Sequence, residues 1–188
     1  MTTPLHPRLF ELRAELERTR DALLAAVARV PAESAGVRAE ADCWSIAEIV
    51  EHLLIVEDGI GRLLGKLGKQ ADALGPETSS ASVLSSLDRH GLRTPRHRIR
   101  APGPILPTGS VTLGEGLAGL AESRRKLIEL MHRVSGRALG ELGAPHPLIG
   151  RLTFYEWLLF LAQHEERHTI QIRETAGRLS HPAQSPGH

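Results

Sequence analysis

Four stretches of the chain repeat apolar residues at three- and four-residue steps, the spacing of one face of an α-helix. In the first, residues 8–30, Leu9, Leu12, Leu16, Leu23, Leu24 and Val27 gather near one side, and Pro31 with the small residues behind it ends the run. The second covers residues 46–67, the third 113–134 and the fourth 154–178, with Gly177 as the expected stop. Three of the four open on one signal. Ser45-Ile46-Ala47-Glu48, Thr112-Leu113-Gly114-Glu115 and Thr153-Phe154-Tyr155-Glu156 are capping boxes. In each, the hydroxyl accepts from the backbone N–H three residues on and the carboxylate reaches back. Three such boxes, each just ahead of an apolar-periodic run, fix three helix starts.

The stretches between these runs have a different texture. Residues 69–110 are rich in Gly, Pro, Ser and Arg and join helices two and three; a short helix is expected near 80–89. Residues 137–151, with Ala144-Pro145-His146-Pro147, join helices three and four, and 179–188 read as a disordered tail. There is no internal repeat and no strand pattern. The expectation is an all-α protein: one domain over residues 1–178, built as a four-helix bundle with a long connection between helices two and three.

Composition narrows the picture. A chain of 188 residues is long enough for one well-buried core. Aromatic residues make up only 3%, so Leu, Val, Ile and Ala must build that core, which favours helix packing over a β-sandwich. A net charge of +1 supplies no global field for nucleic acid or membrane. Cys43 is the single cysteine, so no intrachain disulfide forms and nothing marks an oxidising compartment. The N-terminal segment has no apolar core of signal-peptide type, and no apolar run approaches membrane-spanning length. These features predict a soluble, cytoplasmic protein without nucleic-acid or membrane partners.

The chemistry concentrates in His164-Glu165-Glu166-Arg167-His168. Two histidines four apart on a helix lie about 40° apart around the axis and about 6 Å apart along it, so both rings can reach one metal ion. They continue an inward stripe, Trp157, Leu161, His164, His168 and Ile172, and buried imidazoles need partners. His52 interrupts the stripe of helix two in the same way, among Ile49, Val56 and Ile60, and is the best third ligand. Three protein ligands with one open position is the pattern of a catalytic zinc-type site. The other histidines lie near termini (His6, His181, His188), in loops (His90, His97, His146) or at the end of helix three, where a cation suits the dipole (His132).

Two further patterns compete for the same residues. His164-Glu165-x-x-His168 satisfies the zinc-protease signature, but only 20 residues follow His168 and they lack the extended metzincin motif. Glu165 also lies about 100° round from His164, toward a neighbouring helix, which suits a supporting contact or a salt bridge as well as a base. Glu165 and His168 form one Glu-x-x-His pair of a di-iron bundle, but helix two has Ile49, not Glu, three residues before His52.

The segment Trp44-Ser45-Ile46-Ala47-Glu48-Ile49-Val50-Glu51-His52-Leu53 resembles the second-helix motif of the DinB-like (DNA-damage-inducible, YfiT-like) metalloproteins. Tyr155-Glu156-Trp157-Leu158 followed by Gln163-His164-Glu165-Glu166-Arg167-His168-Thr169-Ile170-Gln171-Ile172 resembles their last-helix motif. The resemblance runs from helix one to Gly177 and is vague over 69–110. It implies a four-helix bundle, a divalent metal such as zinc or nickel on a triad of His52, His164 and His168, and a homodimer. It further implies a small-molecule substrate and thiol S-transferase or related detoxifying chemistry with a low-molecular-weight thiol; a metal-dependent hydrolase and a non-catalytic metal-binding module remain alternatives. The additional C-terminal domain of the family's maleylpyruvate isomerase is not expected here, which counts against that specific activity. No catalytic or thiol-binding residue is assigned by these motifs. Gln171 and Arg167, one turn from the ligands, can orient groups nearby. Arg89, Arg93, Arg96, Arg98 and Arg100 crowd one loop with His90 and His97, readable as a solvated loop, an anion clamp over the site or a nucleic-acid contact; charge and scarce aromatics disfavour the last.

Overall fold

The computed structural model describes residues 4–92 and 105–180. Four long helices dominate it: α1 (Pro7–Val27), α2 (Ile46–Gly68), α3 (Leu113–Arg133) and α4 (Phe154–Ser180). The three capping boxes form. Ser45 and Thr112 each accept from the N–H three residues on while Glu48 and Glu115 bond back. Thr153 and Glu156 do the same at the start of α4.

The helices run up, down, down, up. Arg8 lies over the Tyr155 ring and Thr19 meets Glu165, so α1 and α4 are parallel neighbours. Val50 packs at Gly116 and Leu130 at Gly68, so α2 and α3 are parallel too. Parallel neighbours cannot be joined by a tight turn, and the connection from α2 to α3 must travel back along the bundle. The α2–α3 seam closes tightly because α3 opens with glycines: a Cβ on Gly119 would stand 2.6 Å from Leu54 Cδ2.

Buried apolar residues form two clusters. The larger contains Leu9, Leu12, Leu16, Ile60, Leu64, Leu127, Phe154 and Leu158; the smaller contains Leu23, Ile46, Ile49, Leu53, Leu120 and Ile172. Four charges, one from each helix, sit between them. Arg20 bonds Glu57 at 2.7 Å and Glu165 at 2.6 Å, and Arg124 bonds Glu57 at 3.0 Å and Glu165 at 3.3 Å. The spare guanidinium hydrogens go to the carbonyls of Leu16 and Leu120, and the Thr19 hydroxyl donates to Glu165 at 2.6 Å. A buried charge is tolerable only with such full pairing.

Several expectations need correction. The segment 143–153 forms an antiparallel hairpin, β1 (Gly143–His146) and β2 (Gly150–Thr153). No strand pattern announced it, since Gly-Ala-Pro-His has no β-branched residue; a Cβ on Gly143 would meet the Leu152 carbonyl at 2.5 Å, so register rests on the glycine. Helix α4 does not stop at Gly177 but runs to Ser180, taking Leu179 and Ser180 from the expected tail. Glycine in a helix lowers stability by only about 1 kcal/mol, and packing of Leu179 and Ala176 on the smaller cluster offsets it. The rest of the tail, with His181 and His188, lies outside the described residues. Near 80–89 there are turns and one short 3-10 turn, Asp88–His90, instead of a helix. The backbone N–H of Val83 goes to Glu11 and the Ala81 carbonyl to Arg8, so α1 takes the bonds a helix would have used. No helix among the described residues is long and apolar enough to cross a membrane.

Candidate metal centre

Helices α2 and α4 carry the three predicted histidines to one place. His52 sits on α2 between Ile49 and Val56, is 2% exposed, and faces His164 and His168 on α4. The Nε2 atoms of His52 and His164 are 3.3 Å apart, and those of His168 and His164 are 3.2 Å apart. Ligands placed tetrahedrally about 2.0–2.1 Å from a zinc ion lie about 3.3–3.4 Å from one another. These two separations are those of neighbouring ligands in a metal's coordination shell, and the three ligand atoms all lie within 4.8 Å of one another.

The hydrogens point the same way. His52 Nδ1–H donates to the Ile105 carbonyl at 2.7 Å, and a carbonyl can only accept. His168 Nδ1–H donates to Gln171 Oε1 at 2.8 Å. Both neutral rings therefore present bare Nε2 lone pairs to the centre, and His164 Nε2 can satisfy at most one of them with a hydrogen. Protonation is no remedy. Burial, then the neighbouring rings, holds His164 well below the ordinary histidine value; burial, then His52, pushes His168 down to about 3; burial also lowers His52, against the Ile105 carbonyl. A cation between the rings satisfies all three. Among the described residues no fourth His, Cys, Asp or Glu joins the group.

Aromatic rings flank the triad. Trp44, just before the α2 cap, lies 4.9 Å from the His52 ring and stacks at 6.4 Å on His168. Phe160 stacks on His164 at 5.5 Å. His146, expected in a loop, ends β1 and lies 4.7 Å from Phe160, its Nδ1 accepting the Leu148 N–H.

Glu165 does not face the triad. Its carboxylate belongs to the buried quartet, bound by Arg20, Arg124 and Thr19, and it is 2% exposed. This removes the protease reading of the motif, in which that glutamate activates water. The quartet's partners Arg20, Glu57 and Arg124 were not singled out from the sequence. The signal was present: Leu16-Arg20-Leu23, Leu53-Glu57-Ile60 and Leu120-Arg124-Leu127 keep stripe spacing with a charge in the middle. Glu51, also buried, grips Thr108 and Gly109; burial would raise its carboxyl, but the hydrogen bonds of Thr108 and Gly109 hold it below the usual range. Arg89 bonds the Ser86 carbonyl and lies 3.7 Å from Glu156, so it is engaged at the start of α4. Arg93, Arg96, His97, Arg98 and Arg100 lie outside the described residues.

The family model of the DinB superfamily matches residues 15–172. This chain belongs to the DinB superfamily. Its sequence is similar to the uncharacterized protein YuaE of Bacillus subtilis (strain 168), 24% identical over 153 residues that cover 78% of this chain and 86% of that protein. Its fold is similar to the crystal structure of TT2238, a four-helix bundle protein, with a TM-score of 0.59 and 23% identity over 88% of this chain and 98% of that one. At that identity the likeness speaks for the four-helix-bundle fold and not for an activity.

Proposed function

We propose that the triad of His52, His164 and His168 binds a divalent cation, zinc or nickel, and that the protein uses it as a thiol S-transferase or related detoxifying enzyme. The observation that carries the reading is the convergence of three Nε2 atoms, two of them fixed as lone-pair donors by Ile105 and Gln171. A cation held by three histidines keeps a position open for a small thiol or water and makes either more acidic. The chain supplies the rest. Trp44 and Phe160 give flat apolar walls for an electrophile's body, and burial keeps the three rings neutral. Glu165, tied into the quartet, is withheld from proton transfer, which favours thiol chemistry over peptide hydrolysis.

The test is elemental analysis of the purified protein, then conjugation of low-molecular-weight thiols to a generic electrophile beside a casein digestion control. Bound metal and thiol conjugation, both lost in His52→Ala, are the expected result. Casein cleavage without conjugation overturns the thiol reading. Metal binding with neither activity moves the assignment to a metal-binding structural module.

A further inference from the structure

The outer wall of the triad is held by a residue outside it. His52 Nδ1–H is fixed by the carbonyl of Ile105, which belongs to the connection between α2 and α3 rather than to the bundle. Three residues on, the same segment is pinned. Glu51 Oε1 accepts the Thr108 N–H at 3.0 Å and the Thr108 hydroxyl at 2.6 Å, and Oε2 accepts the Gly109 N–H at 2.9 Å. Gly109 has φ of +74°, a left-handed turn open to glycine, and it brings two successive N–H groups onto one carboxylate. Pro107 stiffens the chain between the carbonyl and the clamp. Glu51 is 2% exposed, and its hydrogen-bond partners Thr108 and Gly109 both lie in this segment.

We infer that Glu51 is a positioning residue for the metal centre: by clamping Thr108 and Gly109 it sets the Ile105 carbonyl, and through it the tautomer and aim of His52. The inference rests on the proposed metal reading. It makes cation binding and docking of residues 105–110 reciprocal, because whatever docking contributes to affinity, the cation returns to docking. Residues 51 and 52 are consecutive on α2, so one helical position holds the ligand and the next holds what orients it.

The experiment uses the full chain and zinc alone. Zinc affinity is measured by competition with a chromophoric chelator for the wild type, Glu51→Ala and Glu51→Gln. Hydrogen exchange at the Thr108 and Gly109 amides is followed with and without zinc, and the His52 tautomer is read from imidazole nitrogen shifts in the metal-free protein. Glu51→Ala should weaken zinc about tenfold or more, the range for groups that orient a ligand. Glu51→Gln, which keeps one acceptor, should recover part of the loss. Zinc should slow exchange at both amides in the wild type, and His52 should lose its fixed Nδ1–H tautomer in Glu51→Ala. A purely structural role would move none of the tautomer signal. Should Glu51→Ala not fold, Thr108→Val removes one of the three donors and is read in the same way. Wild-type zinc affinity in the folded variants, or amide exchange indifferent to zinc, overturns this inference alone; a wild type that takes up no zinc overturns the metal reading and this inference with it.

Discussion

Two polar layers interrupt the apolar interior of this bundle, and they touch at consecutive residues of α4. His164 belongs to one and Glu165 to the other. The layer of Arg20, Glu57, Arg124 and Glu165 is closed: two cations face two anions, and the remaining hydrogens end on Thr19 and two carbonyls. The layer of His52, His164 and His168 is open: its outer nitrogens are satisfied at Ile105 and Gln171 while its inner ones face each other without enough hydrogens to share. Both lie largely out of solvent, one built from two arginines and two glutamates, the other from three histidines. Closure separates a polar group that holds a fold together from one that waits for a ligand.

The sharpest way to break the comparison is to remove one member from each layer. Arg124→Met leaves Glu57 and Glu165 sharing Arg20 alone, one buried anion uncompensated, and urea unfolding should register a loss of about 3–5 kcal/mol. His164→Leu leaves no orphaned charge; metal-free stability should hold or rise while metal uptake vanishes. If His164→Leu proves the more damaging of the two without metal, the layers have been assigned the wrong way round. A second measurement is melting with added zinc. At about one hundred times its dissociation constant a ligand should add about 2.7 kcal/mol, visible as a higher Tm in the wild type and absent in His52→Ala.

Acid distinguishes the layers next. Histidines whose folded values lie below the unfolded value of about 6.5 leave the native state binding fewer protons. Their contribution is fully present above pH 6.5 and drains as pH falls toward the folded values. For His168, down at about 3, the loss below pH 6.5 approaches about 1.4 kcal/mol per pH unit. A Tm series from pH 7.5 to 5 on metal-free protein should slope downward, and the slope should flatten in a His168→Leu variant. An unchanged slope would mean that the triad does not govern the acid response. The smallest effect belongs to neither layer: Thr153→Ala removes the α4 cap for about 1 kcal/mol and should leave metal content as it was.

What could be read beforehand follows from how local the cause is. Capping boxes and stripes depend on residues three and four apart, so the starts of α2, α3 and α4 and the inward aim of His52, His164 and His168 were legible. The quartet was not, although each charge sits on a stripe, because four separate helices must be aligned before Arg20 finds Glu57. The hairpin at 143–153 rests on a glycine that can pass close to the Leu152 carbonyl, a tertiary fact with no propensity signal. Glu51 was not singled out, because its partners lie 57 and 58 residues further on. Gly177 misled for the opposite reason: a local stop signal yielded to packing around it.

The parallel pairing of α1 with α4 also sets a timetable. Thr19 meets Glu165 across a sequence separation of 146, and these two helices share the most extensive packing in the bundle. On a ribosome adding about 5–20 residues per second, α1 emerges about 7–30 s before the surface that covers it exists. Through that interval Leu9, Leu12, Leu16 and Leu23 lack their cover from α4, and a helix draws most of its stability from the packing of such a face. The pairs Arg13–Glu17 and Arg18–Glu15 on its outer side give the waiting segment some helical support of its own. The first helix to be made is among the last to be finished, and the nascent chain must stay unaggregated until α4 arrives.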